Sequence, residues 1–102
     1  MSATVLQINF KFNISPAKLA EAFGPLAESI AKVPGLRWKI WSLNAAESEF
    51  AGIYLFDDAE SAQAYLEGPI ITALGENPAL SDINAKQFDV LDDFSAVTRG
   101  HV

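Results

Sequence analysis

The sequence is 102 residues long, a common size for one domain, so we expect a single domain over residues 1–102. Half of its residues are hydrophobic, 20% are charged, and the net charge at pH 7 is −6, with seven Lys and Arg residues that do not cluster. These values exclude nucleic-acid binding, which needs a concentrated basic face, and they argue against binding to an anionic membrane surface.

The first predicted element is a β-strand from Thr4 to Phe12, in which apolar and polar residues alternate. Ser15-Pro16 then provides an N-cap and a proline at the first position of a helix. The apolar residues of this helix recur at three- and four-residue steps: Leu19, Phe23, Leu26, Ile30 and Val33. We expect Gly24-Pro25 to interrupt the helix, either wrapping it over a sheet or opening space beneath it for a ligand.

Two further strands are predicted from Leu36 to Leu43 and from Phe50 to Phe56, joined by a hairpin loop over residues 44–49. The second of these strands is apolar on both faces, which is typical of a strand that is covered on both sides. Gly52 within it indicates a bulge or the close approach of another group.

A second helix is predicted after Asp57, which would form a capping pair with the glutamate three residues later. Its buried residues are predicted to be Ala59, Ala62, Tyr65 and Leu66. Gly68-Pro69 ends this helix, and residues 70–74 form one further short turn of helix. The last strand is predicted from Ile83 to Leu91, and residues 92–102 form a polar C-terminal tail.

The order strand, helix, strand, strand, helix, strand predicts an α+β domain of the ferredoxin-like type. In this fold, a four-stranded antiparallel sheet carries both helices on one face. The other face then needs a cover, because large exposed apolar patches are rare on monomers. A second copy of the sheet is the simplest cover, so we expect a homodimer.

The residues that could carry chemistry are mainly aromatic. Trp38 and Trp41 are three apart on one strand, so they should point to opposite faces unless a bulge intervenes. Each indole either packs in the core or forms the wall of a flat apolar slot. Tyr54 and Tyr65 are either core tyrosines with satisfied hydroxyls or donors to a ligand oxygen.

Four polar side chains lie near these aromatic residues in the predicted sheet. Arg37 and Lys39 share a strand face and could form an ion pair between subunits or bind an anionic enolate or phenolate. Gln7 and Asn9, on the first strand, could form hydrogen bonds across a dimer or reach a ligand.

Several classes of site are excluded by missing residue types. The sequence has no cysteine, and its one histidine, His101, lies beside the C-terminus, where we expect it to be solvated. Histidine-bound zinc, iron or haem and Ser–His catalysis are therefore not expected, and no glycine-rich phosphate loop is present. For these reasons we expect no cofactor. We find no leader and no stretch of membrane-spanning length, so we expect a cytoplasmic protein.

Several short blocks of the sequence occur in the order in which they occur in a known family. They are Pro25-Leu-Ala-Glu-Ser-Ile30, Pro34-Gly35, Trp38-Lys39, Trp41, Gly52-Ile-Tyr-Leu-Phe56, Ala64-Tyr-Leu-Glu67 and Phe88-Asp-Val90. With these blocks the chain resembles the YdhR-type mono-oxygenases of the dimeric α+β barrel superfamily. The resemblance implies a homodimer whose sheets pack into a barrel, with a pocket in each subunit between sheet and helices.

The same resemblance implies an activity. Relatives include mono-oxygenases that oxidise aromatic substrates without metal or flavin, because the substrate enolate or phenolate itself gives an electron to oxygen. We therefore expect cofactor-independent oxidation of a small aromatic or enolisable compound. The expected catalytic residues are Tyr54, Trp38 and Trp41. The expected substrate-binding residues are Tyr65, Arg37, Phe10, Phe23 and Phe56. Haem-degrading relatives use a histidine ligand, which this fold lacks.

Two alternatives belong to other functional classes. A non-catalytic homodimeric module that binds a small hydrophobic metabolite would have the same pocket without oxygen consumption. In a purely structural reading, the aromatic residues are close-packed and leave no cavity beneath the first helix.

Overall fold

The computed structural model describes residues 3–100, so His101 lies outside the described part of the chain. The described part contains four strands and four α-helices. In chain order they are β1 (Thr4–Phe12), α1 (Pro16–Ala31), β2 (Leu36–Asn44), β3 (Glu49–Phe56), α2 (Ala59–Leu66), α3 (Pro69–Glu76), β4 (Leu80–Asp89) and α4 (Asp92–Val97). The strands form one antiparallel sheet in the order β2-β3-β1-β4, which confirms the predicted ferredoxin-like fold.

The first helix begins as its sequence predicts but is not interrupted. The Ser15 side chain accepts a hydrogen bond from the backbone N–H of Lys18, and Pro16 occupies the first turn. The helix then runs through Pro25 for 16 residues, so the predicted break is wrong. Proline removes one backbone donor, and the burial of Leu19 and Ile30 on either side keeps both halves of the helix on the sheet.

The cap of α2 is one residue later than predicted. Asp58 accepts a hydrogen bond from the backbone N–H of Ser61 at 2.8 Å, so it is the N-cap. The predicted cap, Asp57, is wrong, because its carboxylate pairs with Arg37 instead. Among the described helices, none combines the length and apolar character needed to cross a membrane.

The end of the chain is more regular than the sequence predicts. The last strand, β4, begins at Leu80 and ends at Asp89, two or three residues earlier at each end than predicted. The segment predicted as a polar tail contains α4, with two aspartates in its first turn, where negative charge is favourable. Its Phe94 and Val97 side chains are 72% and 78% exposed, so this short helix presents apolar surface to its surroundings.

The core lies between the sheet and the helices. Every second residue of β1 is buried on the face that the helices cover: Leu6, Ile8, Phe10 and Phe12. Ile30 of α1 and Ala62 of α2 pack into the same cluster as Leu6 and Ile8. Both helices therefore cover one face, which we call the helix-covered face.

The opposite face of the sheet, which we call the open face, carries the alternate residues of β1: Val5, Gln7, Asn9 and Lys11. At one end of this face Leu55 is fully buried with Ala3 and Val90. Elsewhere on it, Ile40 is 52% exposed and Phe88 is 48% exposed. The open face is thus partly apolar and uncovered within one chain.

The turn between α1 and β2 packs against α2 at Gly35, and a substitution there tests this contact. Gly35 has φ = +84°, and a Cβ atom there would collide with the side chain of Ser61. Gly35→Ala should therefore destabilise the protein by about 1–3 kcal/mol. Gly24→Ala, in the open interior of α1, is the matched control and should be neutral or stabilise the fold by up to about 1 kcal/mol. Equal urea midpoints for the two variants would contradict this account.

Candidate functional site

A bulge in β2 decides which side chains point toward the helices. Leu36 pairs with Phe56, but Trp38 pairs with Leu55, so β2 has one more residue here than β3. The register of the two strands skips the extra residue, Arg37. Such a bulge changes the face to which all following residues of the strand point.

The two tryptophans lie on opposite faces, as their spacing predicts. Trp38 packs beside Leu55 on the open face, whereas Trp41 pairs with Gly52 and lies on the helix-covered face. Lys39 pairs with Tyr54, so its side chain also lies on the helix-covered face. The bulge therefore brings Trp41 and Lys39 beneath the helices.

Arg37 has a different environment from Lys39, although the sequence suggested that the two cations act on one face. Its Nε–H donates to Asp57 Oδ1 at 2.6 Å, and both side chains are about half exposed. Arg37 thus has an ion-pair partner within its own chain. An exposed pair of this kind contributes at most about 1 kcal/mol to stability.

Four aromatic rings pack together beneath α1. The ring centroids of Phe10 and Phe50 are 4.9 Å apart, and Phe23 lies 4.8 Å from Phe50 and 5.0 Å from Trp41. Of the sequence-predicted site residues, Trp41, Phe10 and Phe23 are therefore in one cluster. Each such pair contributes about 0.5–1.5 kcal/mol beyond its burial.

The other aromatic candidates form a second, neighbouring cluster. The hydroxyls of Tyr54 and Tyr65 are 2.9 Å apart and buried, and Phe56 packs within 6.0 Å of both rings. Burial raises the pKa of each phenol, so both stay neutral near pH 7. One hydroxyl donates to the other, which leaves one of the two hydroxyl hydrogens with no partner in the described part of the chain.

Lys39 occupies an aromatic box between these two clusters. Its Nζ atom lies 3.3 Å from the ring centroid of Trp41, 4.5 Å from that of Tyr54 and 5.6 Å from that of Phe50. A Cβ atom on Gly52 would come within 3.1 Å of Lys39 Cε, so glycine makes room for the lysine stem. The close approach that Gly52 predicted is therefore that of Lys39.

The charge on Lys39 is not balanced by an anion. No carboxylate among residues 3–100 lies within ion-pair distance of Nζ. Burial lowers the pKa of this amine to about 7, because the charged form loses hydration. Sequence reasoning named Lys39 as a cation that could form an ion pair or bind an anionic enolate or phenolate, but not as a buried amine. Gly52, on the neighbouring strand β3, was the available signal for its burial.

Two clefts lie between α1 and β2, one beside each half of the helix, so space does remain beneath this helix. We call the first the Lys39 cleft; it has a volume of about 220 Å³ between α1 and β2. Its lining includes Ala27, Ile30, Ala31, Leu36, Arg37, Trp38, Lys39 and Trp41. The second, of about 180 Å³, is lined by Phe23 and Phe50, and Trp41 borders both clefts.

Two other depressions lie away from the aromatic box. One of about 290 Å³ lies between α1 and the α2–α3 turn and is lined by Tyr65, Val33 and Ile70. The larger one, of about 330 Å³, lies on the open face and is bordered by polar groups. There Gln7 donates to Asn9, which donates to Glu49 at 3.1 Å, so both predicted polar residues have partners within the chain.

The aromatic clefts combine the features of a small-molecule site better than the open-face depression does. Small-molecule sites are mostly apolar, with few polar groups and perturbed pKa values. The Lys39 cleft has such an amine beside the Trp41 indole, whereas the Trp38 indole packs on the open face. No group of three His, Cys, Asp or Glu side chains within residues 3–100 is arranged to hold a metal ion.

Comparison with known proteins identifies the family of this chain and several solved structures with the same fold. The family model described as "Putative mono-oxygenase ydhR" matches residues 5–101. A protein of unknown function from Nitrosomonas europaea superposes with a TM-score of 0.73 at 25% identity, covering 89% of this chain and 91% of that one. A search of the curated proteins finds no match.

Two further solved structures share the fold at lower identity. SnoaB, a cofactor-independent oxygenase from Streptomyces nogalater, has a TM-score of 0.71 at 17% identity, covering 88% of this chain and 94% of that one. A monooxygenase of Streptomyces coelicolor, in complex with the ligand Nanaomycin D, has a TM-score of 0.68 at 19% identity and covers 87% and 88%. At these identities the likeness concerns the fold.

The lowered pKa of Lys39 predicts a pH dependence of stability. In the folded state this amine loses its proton near pH 7, whereas in the unfolded chain it does so near 10.5. Between these values the unfolded state binds more protons, so the free energy of unfolding should rise with pH, by at most about 1.4 kcal/mol per unit. Lys39→Met should lack this rise. Parallel urea-stability profiles for the two proteins from about pH 6 to 9 would contradict the assignment.

Proposed function

The chain belongs to the ydhR family of mono-oxygenases, and on that premise we propose that it oxidises a small aromatic or enolisable compound with O2. We propose that the reaction needs no bound metal, flavin or haem. The substrate would lie in the Lys39 cleft, with its flat face against Trp41.

The observation that carries this proposal is the position of the Lys39 amine. Nζ lies over an indole, beside a cleft, with no carboxylate of residues 3–100 to neutralise it. A phenolate or enolate is flat, conjugated and anionic, so it matches both the aromatic wall and the cation. In a water-poor cleft such a charge pair is stronger than in bulk water.

The chemistry needs no external reductant. When a CH2 group activated by a phenol or ketone becomes C=O, the carbon loses four electrons. O2 accepts them, giving the new carbonyl oxygen and one molecule of water. The substrate anion supplies the first electron, so the protein has to bind, orient and desolvate this anion.

The other predicted residues have supporting roles in this proposal. The Tyr54–Tyr65 hydroxyl pair, which lines neither of the two clefts beside α1, would hold the Tyr54 ring in place against the Lys39 amine. Phe10 and Phe23 would support Trp41, Phe56 would support the tyrosines, and Trp38 and Arg37 would border the mouth of the cleft. SnoaB, a cofactor-independent oxygenase of the same fold, shows that this scaffold is compatible with such chemistry.

We further propose that the protein acts as a homodimer in the cytoplasm, with a small hydrophobic ligand and neither nucleic acid nor membrane as partner. Five large apolar side chains, two on the open face of the sheet and three in the segment after β4, are about half to three-quarters exposed. They are Ile40, Phe88, Leu91, Phe94 and Val97. A second copy packed on this face would cover them, and a stable dimer needs about 1,200–2,000 Å² of buried surface.

Oxygen uptake with an anthrone as substrate tests the activity. The wild type should consume one O2 per carbonyl formed, and Trp41→Leu should lower kcat/KM by about tenfold, because one wall of the slot is lost. Ile14→Ala, at a position that lines neither cleft but packs against the same core cluster, is the control for general destabilisation. Anthrone binding without oxygen consumption would overturn the enzymatic proposal and favour the non-catalytic binding module.

The dimer is tested by light scattering at micromolar concentration. Ile40→Glu places a charge on the open face and should give monomers. Leu43→Glu, at a similarly exposed position on the helix-covered face, should leave the dimer intact. A monomeric wild type, or equal effects of the two variants, would refute an interface on the open face.

A further inference from the structure

Lys39 is available as a proton acceptor in a way that an ion-paired lysine is not. The Lys11 amine, on β1, lies 3.5 Å from the Glu49 carboxylate and is thus ion-paired. Lys39 is surrounded instead by the rings of Trp41, Tyr54 and Phe50. Burial brings its pKa to about 7, close to the value at which a general base works best at neutral pH.

Among the residues that line the cleft, Lys39 alone can accept a proton near neutral pH. From β3 the titratable group that faces Lys39 is the Tyr54 phenol, whose pKa is raised and whose hydroxyl is paired with Tyr65, whereas Glu49 lies on the open face with Lys11. On β2, Arg37 also lines the cleft, but a guanidinium cannot lose its proton near neutral pH. The lining residues of α1 are Ala27, Ile30 and Ala31, none of which titrates.

We propose that Lys39 is the general base that deprotonates the substrate, and that the substrate is a weakly acidic phenol or enol that enters the cleft uncharged. This inference rests on the proposed function and names its substrate class. The substrate O–H bond breaks, a new N–H bond forms on Nζ, and the electron pair stays on the oxygen. An ammonium and an enolate or phenolate then face each other, with no net change of charge in the cleft.

The burial of the Lys39 amine among aromatic rings explains why the substrate should arrive neutral. Moving an ion from water to a buried position costs much more than moving the neutral acid. When the proton passes to Lys39 inside the cleft, the anion and its counter-cation form together. After oxidation, the ammonium can give its proton to the departing hydroxide, which leaves as water. A permanently ionised carboxylic acid would not benefit from this arrangement.

The test uses 2-naphthol under anaerobic conditions, because the spectrum of this probe reports its ionisation. Like the tyrosine phenol, whose pKa is about 10, free 2-naphthol is almost entirely neutral at about pH 8. In the wild type we expect the apparent pKa of bound 2-naphthol to be at least about one unit lower than in Lys39→Met, a tenfold change in ionisation. Lys18→Met, on the exposed first turn of α1, should behave like the wild type.

A second variant separates a base from a mere cation. Lys39→Arg keeps a positive charge that cannot accept a proton. Calorimetry in buffers of different ionisation enthalpy should find almost no proton released when the wild type binds 2-naphthol near pH 8, since the proton moves to Lys39. Lys39→Arg should release about one proton if it binds the naphtholate.

The outcomes separate this inference from the proposed function. A wild type that does not bind 2-naphthol, or that binds it with the same ionisation as Lys39→Met, overturns the role of Lys39. Equal proton release by the wild type and Lys39→Arg also overturns it. If the probe is ionised by Lys39 but no anthrone is oxidised in air, the proton transfer stands and the mono-oxygenase proposal fails.

Discussion

One extra residue in β2 determines the chemistry that this fold can offer. Without the bulge at Arg37, the register would place Trp38 opposite Tyr54 and Trp41 opposite Ala51, so the two indoles would exchange faces. Lys39 would then point to the open face, away from the helices. The bulge instead puts an amine and an indole side by side beneath α1.

The aromatic box holds this amine at a cost in stability. Glycine in the middle of a strand gives up side-chain packing and backbone order, and a lysine among aromatic rings loses hydration. The position of Lys39 requires glycine at position 52, because any Cβ there would come too close to the lysine stem. The rings of Trp41 and Tyr54 offset part of this cost through their attraction for a cation. Local features that cost stability are typical of sites that bind or react.

The two faces of the sheet have separate roles in these proposals. The helix-covered face buries the tyrosine pair and the aromatic cluster, so the groups that would bind a substrate belong to the part of the chain that packs most tightly. The open face has a polar ladder from Gln7 through Asn9 to Glu49 at one end, and apolar side chains such as Ile40 and Phe88 elsewhere. Assembly on the open face would leave the clefts on the other side of the sheet accessible.

The sequence by itself determined the element order and the faces of the elements with strong local patterns. The alternation of apolar and polar residues predicted β1, and the Ser15-Pro16 cap predicted the start of α1. Both signals arise from neighbouring residues. Tertiary structure alone decided three matters: α1 continues through Pro25, Asp58 rather than Asp57 caps α2, and Lys39 lies under the helices. Each depends on groups that are distant in sequence. The bulge in particular is chosen by how the whole sheet packs, since one inserted residue changes the face of every residue after it without altering the local pattern.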